Sequence, residues 1–218
     1  MKCTICSQES KLFEDTKSHI EYLECQSCRA ISKSHENFVD FDEQKRRYDL
    51  HDNNEDDIGY QRYFQRFIDF TLPHIRGAKR ALDFGCGATS LLSQMLESHG
   101  IECDIYDPIY HPNSSYIDGR YDLIVSVEVF EHLHDPKEVF GRLINLLNPD
   151  GYIAIQTAFC PSNRDEFLDW YYHLDPTHII FFRVETFEYL AREFGVEIVY
   201  QNEKNMILFQ KKSIGTNL

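Results

Sequence analysis

Apolar residues recur at helical spacing between Asp57 and Ile75, and this is the clearest periodic segment in the chain. A period of three to four residues places them on one face of a helix. The pattern therefore predicts an amphipathic helix that packs on a larger domain and ends near Pro73. The apolar positions are Ile58, Tyr60, Tyr63, Phe64, Phe67, Ile68 and Leu72.

Beyond this helix, short apolar runs that are typical of buried strands alternate with helical segments. The predicted strands are 81–84, 101–107, 121–130, 151–158, 196–200 and 205–210, and the predicted helices are 90–99, 136–147 and 184–194. Because strands and helices alternate, the sheet is expected to be mostly parallel. The last two strands are joined by a short turn, so the final strand is expected to be antiparallel. The predicted fold class is α/β.

Two Cys-x-x-Cys pairs lie near the N-terminus, with 18 residues between them; they are Cys3, Cys6, Cys25 and Cys28. Two tight turns that each present two thiolates can complete a tetrahedral zinc shell. A segment of 35 residues buries too small a core to fold without such a support. We therefore predict a zinc ribbon over residues 1–35, with a structural metal. The alternative, four unrelated thiols, does not explain the paired spacing.

Residues 36–57 are strongly acidic, with nine acidic and three basic side chains. This composition is typical of a solvated linker between the ribbon and a large domain at residues 58–218. A long segment of this kind can also fold over a ligand as a lid. Both interpretations stay open at this point.

Composition limits the class of protein. The 218 residues carry a formal net charge of −14, and 42% of them are hydrophobic, which is enough for a folded core. The sequence contains no apolar run long enough for a membrane span and no apolar segment typical of a signal peptide near Met1. We therefore expect a cytoplasmic protein with reduced thiols and no membrane partner. The negative charge opposes nonspecific binding of nucleic acid.

A glycine turn follows the strand at 81–84 and precedes a helix. Gly85 and Gly87 form a Gly-x-Gly pair at the edge of the sheet where open α/β folds bind ligands. Asp83 lies on the same strand, and Asp107 ends the next one, where an acid can accept both hydroxyls of a ribose. Together these residues predict a cofactor that contains adenosine.

Several ordered motifs resemble those of class I S-adenosylmethionine-dependent methyltransferases. They are Leu82-Asp-Phe-Gly-Cys-Gly87, Tyr106-Asp-Pro108, Asp122-Leu-Ile-Val-Ser126 with Glu131-His132, and Leu147-Asn-Pro-Asp-Gly151. The resemblance covers about residues 58–210 and is closest to the methylases of ubiquinone biosynthesis. The whole chain is similar to a bacterial group in which a zinc ribbon precedes this domain, a group that Gly59-Tyr60 also fits. The resemblance implies a Rossmann-like sheet and S-adenosylmethionine as the cofactor.

The resemblance also assigns residues to the cofactor. Gly85 and Gly87 match the glycines that approach the methionine end of the cofactor, and Asp83 matches the acid of that motif. Asp107 matches the ribose-binding acid, and Glu128 matches a position beside the sulfonium. The predicted cofactor set also includes Tyr60 and Cys86, although the small size of Cys86 is enough to explain its place in the turn.

Two features depart from the family pattern. Ala88 and Thr89 stand where a third glycine is usual, so the loop is expected to differ there. Only residues 108–121 separate the second motif from Asp122, which leaves too little chain for a full crossover helix and strand. We therefore expect the third strand to be short or missing.

The acceptor side is predicted in the aromatic segment 167–182, which follows the strand at 151–158 and holds the single tryptophan. His178 is the preferred base, with Asp175 to orient it, and His173 is a second candidate. The alternative is an aromatic cap over the core in which the histidines only form hydrogen bonds.

A divalent metal is a further hypothesis. Glu128, Glu131 and His132 form a compact set of oxygen and imidazole ligands that suits Mg²⁺ or Mn²⁺, and His134 or His178 could complete it. This set resembles one found in some ubiquinone-biosynthesis O-methyltransferases and small-RNA 2′-O-methyltransferases. Many methyltransferases of this fold carry a Glu-His pair there without a metal.

These inferences favour an S-adenosylmethionine-dependent methyltransferase that acts on a small molecule. One alternative is a non-catalytic zinc-ribbon adaptor with a degenerate methyltransferase fold. An RNA methyltransferase is another, and a different nucleotide-binding α/β enzyme is a third. The sequence does not encode the acceptor atom.

Overall fold

The computed structural model describes residues 1–50 and 56–213. Residues 51–55 of the predicted acidic segment and 214–218 of the predicted large domain lie outside the described residues. The strands are β1 (Ser10–Asp15), β2 (Ile20–Cys25), β3 (Ile31–Lys33), β4 (Arg80–Phe84), β5 (Glu102–Tyr106), β6 (Tyr121–Val127), β7 (Leu147–Gln156), β8 (Ile180–Phe181), β9 (Val196–Gln201) and β10 (Met206–Lys211). The helices are α1 (Phe41–Tyr48), α2 (Ile58–Thr71), α3 (Leu91–Ser98), α4 (Pro136–Leu146), α5 (Arg164–Asp169) and α6 (Val184–Phe194).

Six strands form the central sheet in the order β5-β4-β6-β7-β10-β9. The first four strands are mutually parallel, while β10 is antiparallel to both of its neighbours. The predicted α/β fold with an antiparallel last strand is therefore confirmed. β6 is buried along nearly its whole length, which agrees with its largely apolar sequence and with a strand that is covered on both faces.

Successive residues of β6 point to opposite faces of the sheet. Leu123 packs with the apolar face of α2 and with α3, while Ile124 packs with α4 and α6 on the other face. α4 begins with Pro136 after an Asp135 cap, whose side chain accepts the Glu138 N–H at 2.9 Å. Because β4, β5, β6 and β7 are parallel, their carboxyl ends lie at one common edge of the sheet. The two helical layers cover the faces of the sheet on either side of this edge.

The connection after β5 differs from a complete crossover, as the short spacing predicts. It contains a 3₁₀ helix at Ser114–Asp118, and no described strand pairs with the outer edge of β5. A second difference concerns β7, which begins at Leu147 rather than at the predicted residue 151. The predicted turn lies within this strand, where Asp150 adopts a positive φ of 63°.

The three strands of the ribbon form a second sheet in the order β1-β2-β3-β8. Its fourth strand comes from the large domain, because Ile31 and Ser32 pair with Phe181 and Ile180. A buried aromatic cluster around Tyr22 fills the space beneath this joint. The predicted ribbon thus shares a sheet with the large domain. Within the described part of the chain, the helices are all too short or too polar to cross a membrane.

Candidate functional site

The glycine turn lies at the carboxyl end of β4. The N–H groups of Gly85 and Cys86 both donate to the Tyr106 carbonyl of β5, at 2.7 and 3.1 Å. Gly85 has a φ of +83°, and a Cβ there would lie 2.2 Å from a methyl group of Val129. Gly87 also has a positive φ, but a Cβ there would meet no atom within 4 Å. Gly85 is therefore required by packing, while Gly87 leaves open space beside the turn.

Asp107 is joined to this turn, as the sequence predicts for a ligand-binding acid. One carboxylate oxygen accepts the Gly87 N–H at 3.2 Å. The other accepts the N–H groups of Ile109 and Tyr110, at 2.8 and 3.0 Å. Because a carboxylate has about four acceptor positions, Asp107 keeps capacity for one further donor.

Asp83 is buried beneath the turn, with 2% of its surface exposed. Its Oδ2 atom has no hydrogen-bond partner among the described residues. Burial, with a smaller effect from the charge of Asp107, raises the pKa of Asp83 to about 7. The site therefore favours either a protonated Asp83 or a positive charge placed next to it.

Tyr60 and Cys86 of the predicted cofactor set also lie at the turn. Tyr60 of α2 packs edge-on against Phe64, and its environment includes Asp83 and Cys86. The Cys86 thiol donates to the Gly87 carbonyl at 3.4 Å, and burial raises its pKa. Cys86 is thus an inert small side chain in the turn. Its contact with a cofactor, like that of Tyr60, stays a prediction.

Glu128 follows β6 and adopts a positive φ of 52°, which turns its side chain toward α2. One carboxylate oxygen accepts the Tyr63 hydroxyl at 2.8 Å, and the other accepts the Tyr172 hydroxyl at 2.7 Å. Gln156 of β7 donates to the same group at 3.4 Å and also bonds Tyr63. Glu128 therefore connects α2 with the aromatic segment.

Glu131 is fully buried, and the Tyr172 hydroxyl lies 2.7 Å from its Oε1 atom. Tyr172 has one hydroxyl proton but faces carboxylate oxygens of both Glu128 and Glu131. Two hydrogen bonds at these distances require that one carboxyl group carries a proton. Burial and the charge of Glu128 raise the pKa of Glu131 well above its ordinary value, which favours the protonated form of Glu131. Its Oε2 atom has no partner among the described residues.

His132 and His178 lie next to Glu131, and one ligand atom from each of the three residues lies within 4.8 Å of the others. Each imidazole donates Nδ1–H to a backbone carbonyl at 2.9 Å, His132 to Thr177 and His178 to Tyr172. The Nε2 atom of His132 lies 3.8 Å from Glu131 Oε1. Backbone bonds of this type fix the tautomer of histidines that bind metals.

The structure thus corrects the predicted metal set. Glu131, His132 and His178 come together, while Glu128 faces the tyrosines and Gln156 instead. His134, the other residue considered for completing the set, packs against Phe38. Tyr63 and Gln156 were not identified from the sequence. The apolar period places Tyr63 on the apolar face of α2. Periodicity does not distinguish a tyrosine that packs in the core from one whose hydroxyl enters a polar site.

His173 is not available as a base. It is fully buried, and its ring nitrogens contact the Tyr22 hydroxyl at 2.8 Å and the Leu168 carbonyl at 3.2 Å. Asp175 does not orient the His178 ring by its carboxylate, which instead accepts the N–H and hydroxyl of Thr177. Burial lowers the pKa of His178 to about 4, so its ring is neutral at pH 7.

The acidic segment contains α1, which lies over the site. The Tyr48 ring packs edge-on against His132 at 5.4 Å between ring centres. Asp49 accepts the Tyr110 hydroxyl at 2.8 Å, just beyond Asp107. α1 therefore bridges the neighbourhood of Asp107 and the Glu131–His132–His178 group, and these contacts favour a lid over a linker.

The four ribbon cysteines are buried with their sulfur atoms together. Sγ–Sγ distances are 3.5 Å for Cys3–Cys28 and 3.3 Å for Cys6–Cys25, and all four atoms lie within 4.8 Å of one another. A tetrahedral zinc with Zn–S bonds of about 2.3 Å requires sulfur separations of about 3.8 Å. The N–H groups of Ile5, Ser27 and Cys28 point to these sulfurs. The donor set fits a structural zinc.

Comparison with known proteins adds to this geometry. Residues 57–201, more than half of the chain, match the family described as a methyltransferase domain. A ubiquinone biosynthesis O-methyltransferase from Erwinia tasmaniensis is 25% identical over 116 residues, covering 41% of this chain and 47% of that protein. The chain thus spans about half the length of the curated relative it matches.

Solved structures share the fold. An O-methyltransferase family protein from Burkholderia thailandensis superposes with a TM-score of 0.57 at 15% identity, covering 78% of this chain and 63% of that one. The N-methyltransferase NodS from Bradyrhizobium japonicum, in complex with S-adenosyl-L-homocysteine, gives a TM-score of 0.52 at 13% identity, covering 78% and 98%. With the family match over its central sheet and glycine turn, the chain belongs to the methyltransferase domain family.

Proposed function

We propose that the protein transfers the methyl group of S-adenosylmethionine to an oxygen atom of a small-molecule acceptor. The observation that carries the proposal is the group formed by Glu131, His132 and His178. Glu128 and Tyr172 connect this group to the glycine turn. The Erwinia tasmaniensis relative, named as an O-methyltransferase, supports an oxygen acceptor.

The glycine turn suits the cofactor. Open space beside Gly87 leaves room for the methionine end, and Asp107 has an acceptor position left for a ribose hydroxyl. The unpartnered oxygen of Asp83 suits the ammonium group of the cofactor, which would favour the ionised carboxylate. NodS, whose structure contains S-adenosyl-L-homocysteine, shares this fold.

The reaction is a direct displacement. The acceptor oxygen forms a bond to the methyl carbon while the carbon–sulfur bond breaks, and S-adenosylhomocysteine leaves with the electron pair. The neutral ring of His178 offers its Nε2 lone pair to the hydroxyl as a hydrogen-bond acceptor, and the proton is released to solvent as the oxygen–carbon bond forms. Because its pKa is low, His178 orients the hydroxyl more than it removes the proton, and most of the rate comes from alignment and exclusion of water.

The residues on the acceptor side also fit a divalent cation. Glu131, His132 and His178 would hold it, and the ion would take the place of the proton on Glu131. With the ion bound, Nε2 of His178 would be a metal ligand and would no longer accept from the acceptor hydroxyl. A bound Mg²⁺ or Mn²⁺ lowers the pKa of a coordinated hydroxyl, which is the chemistry that His178 alone supplies poorly. The unpartnered Oε2 of Glu131 is the specific observation that favours this ion.

We propose a division of the chain into three parts, supported by the strand pairing of the ribbon with β8 and by the contacts of α1. Residues 1–35 would form the zinc ribbon, residues 36–57 the lid that contains α1, and residues 58–218 the methyltransferase domain. A net charge of −14 favours a small acceptor over nucleic acid, since a phosphate backbone would be repelled.

Methyl transfer from labelled S-adenosylmethionine to catechol, a simple diol probe, tests this proposal. Zinc-loaded protein dialysed free of other metals is assayed with and without added Mn²⁺, beside the Glu131→Gln variant. We expect label in the catechol, a rate that rises with Mn²⁺, and loss of that rise in the variant. Transfer to RNA instead would contradict the small-molecule acceptor, and a rate indifferent to Mn²⁺ would contradict the ion.

A further inference from the structure

Tyr22 of β2 and Lys33 of β3 are direct cross-strand partners in the ribbon sheet. Both side chains are almost completely buried, at 0% and 1% exposure. A buried lysine costs free energy unless its ammonium group has polar partners. Packing alone does not explain the polar atoms of this pair, because the neighbouring side chains of Phe13, Ile31 and Phe181 already form an apolar contact between the ribbon and the large domain.

Both side chains reach the same short segment of the large domain. The Tyr22 hydroxyl lies 2.8 Å from Nδ1 of His173. The Lys33 ammonium donates to the Asp175 carbonyl at 2.5 Å, and its backbone N–H donates to Ile179 at 2.9 Å. Tyr22 and Lys33 thus hold the turn that contains His173 and Asp175. This turn lies between two residues of the segment that enter the acceptor site.

Those two residues are Tyr172 and His178. Tyr172 directly precedes His173, and its hydroxyl bonds Glu128 and Glu131. The backbone N–H of His178 donates to the Asp175 carbonyl at 3.2 Å, so Lys33 and His178 share one acceptor. The Ile179 N–H donates to the Glu131 carbonyl at 2.8 Å. A displacement of the pair would therefore move the hydroxyl of Tyr172 and the ring of His178.

The pair is in turn held by the cysteine turns. Tyr22 lies three residues before Cys25 in the same strand, and Lys33 lies five residues after Cys28. The Cys28 carbonyl also accepts the Thr186 hydroxyl of α6 at 2.8 Å. The metal end of the ribbon and the acceptor side of the site thus share one strand pair.

We propose that the zinc ribbon maintains the geometry of the acceptor site. In this proposal, Tyr22 and Lys33 are positioning residues for Tyr172 and His178. The ribbon then affects the geometry of the acceptor side. It does not affect the affinity for S-adenosylmethionine, because the glycine turn proposed to bind this cofactor follows β4. This inference rests on the proposed reaction at Glu131, His132 and His178.

The test compares Tyr22→Phe and Lys33→Met with Lys11→Met, a matched control at an exposed lysine of the same sheet. Each protein is checked for bound zinc and for thermal unfolding. Mn²⁺ affinity is measured by electron paramagnetic resonance, and S-adenosylmethionine affinity by calorimetry. Trp170, the single tryptophan, reports on the segment by its emission, since its ring lies 4.9 Å from that of Tyr172.

We expect the two ribbon variants to keep zinc and to bind S-adenosylmethionine within about twofold of wild type. Their Mn²⁺ affinity should fall about tenfold, the lower end of the effect of removing a direct partner of a metal ligand, because Tyr22 and Lys33 act one contact further away. Trp170 emission should shift in both variants and on removal of zinc by a chelator, but not in Lys11→Met. Variants that retain zinc, wild-type Mn²⁺ affinity and wild-type emission would overturn the inference.

The two proposals fail in different ways. If the wild-type protein binds S-adenosylmethionine but no Mn²⁺, the proposed ion is contradicted. The role of the ribbon is then decided by Trp170 emission together with hydrogen exchange of residues 170–182. If zinc removal leaves both unchanged while residues 1–35 lose protection, the ribbon does not position the segment.

Discussion

Replacing Asp83 with asparagine should stabilise the protein at alkaline pH. Asp83 is buried with one oxygen unpartnered, and burial raises its pKa from 3.8 to about 7. The folded state therefore binds a proton that the unfolded state has lost. Stability is fully present below about pH 4 and is lost progressively as the pH rises to about 7. Asparagine keeps the shape without the charge, so it avoids this loss.

The magnitude follows from the shift. About three pKa units correspond to about 4 kcal/mol, and relaxation of a buried site reduces this to the order of 2–4 kcal/mol. At pH 8, Asp83→Asn should raise the free energy of unfolding by that amount, whereas at pH 4 the variant and wild type should agree. Urea unfolding at both pH values measures the difference. Asp69→Asn, an exposed change on α2, is the control.

The same experiment with S-adenosylmethionine tests the proposed role of Asp83. If the cofactor's ammonium group lies beside the carboxylate, the cofactor should stabilise wild type more than the variant at pH 8. Unfolding free energies of wild type and Asp83→Asn that stay parallel from pH 4 to pH 8 would refute the reasoning about burial.

Three further changes test other parts of the structure. Gly85→Ala should abolish S-adenosylmethionine binding, because its Cβ would lie 2.2 Å from a Val129 methyl group. Gly87→Ala should weaken binding less, because its Cβ would meet open space, and calorimetry compares the two variants. Asp107→Ala should weaken binding by about 1.5–3 kcal/mol, and an unchanged dissociation constant would exclude it as the ribose acid. Cys25→Ser should release zinc and raise hydrogen exchange beyond residues 1–35 into β8; an effect confined to the ribbon would show that the shared strand carries no coupling.

The sequence predicted the elements whose signals are local. The period of apolar residues predicted α2, and α6 was predicted with its observed bounds, since Gly195 ends it in a left-handed conformation. The short spacing before Asp122 predicted a short or missing third strand, and among the described residues no strand pairs with the outer edge of β5. Each of these signals lies within about 20 neighbouring residues.

The interface between ribbon and domain was not predictable in this way. β8 is only two residues long, and its apolar sequence is equally typical of a core segment. Tyr22 contacts a histidine 151 residues away, and Lys33 contacts a carbonyl 142 residues away. The sequence places His173 among the candidate bases because it lies in the aromatic segment 167–182, whereas in the fold its ring contacts the Tyr22 hydroxyl. Pattern alone does not show which of two adjacent side chains faces the site.

Calorimetric titration of the zinc-loaded protein with S-adenosylmethionine and S-adenosylhomocysteine tests the central claim most directly. The glycine turn, Asp83 and Asp107 predict that both ligands bind with micromolar dissociation constants. Heat of binding that is absent for both ligands would contradict the methyltransferase account and favour a non-catalytic adaptor with this fold.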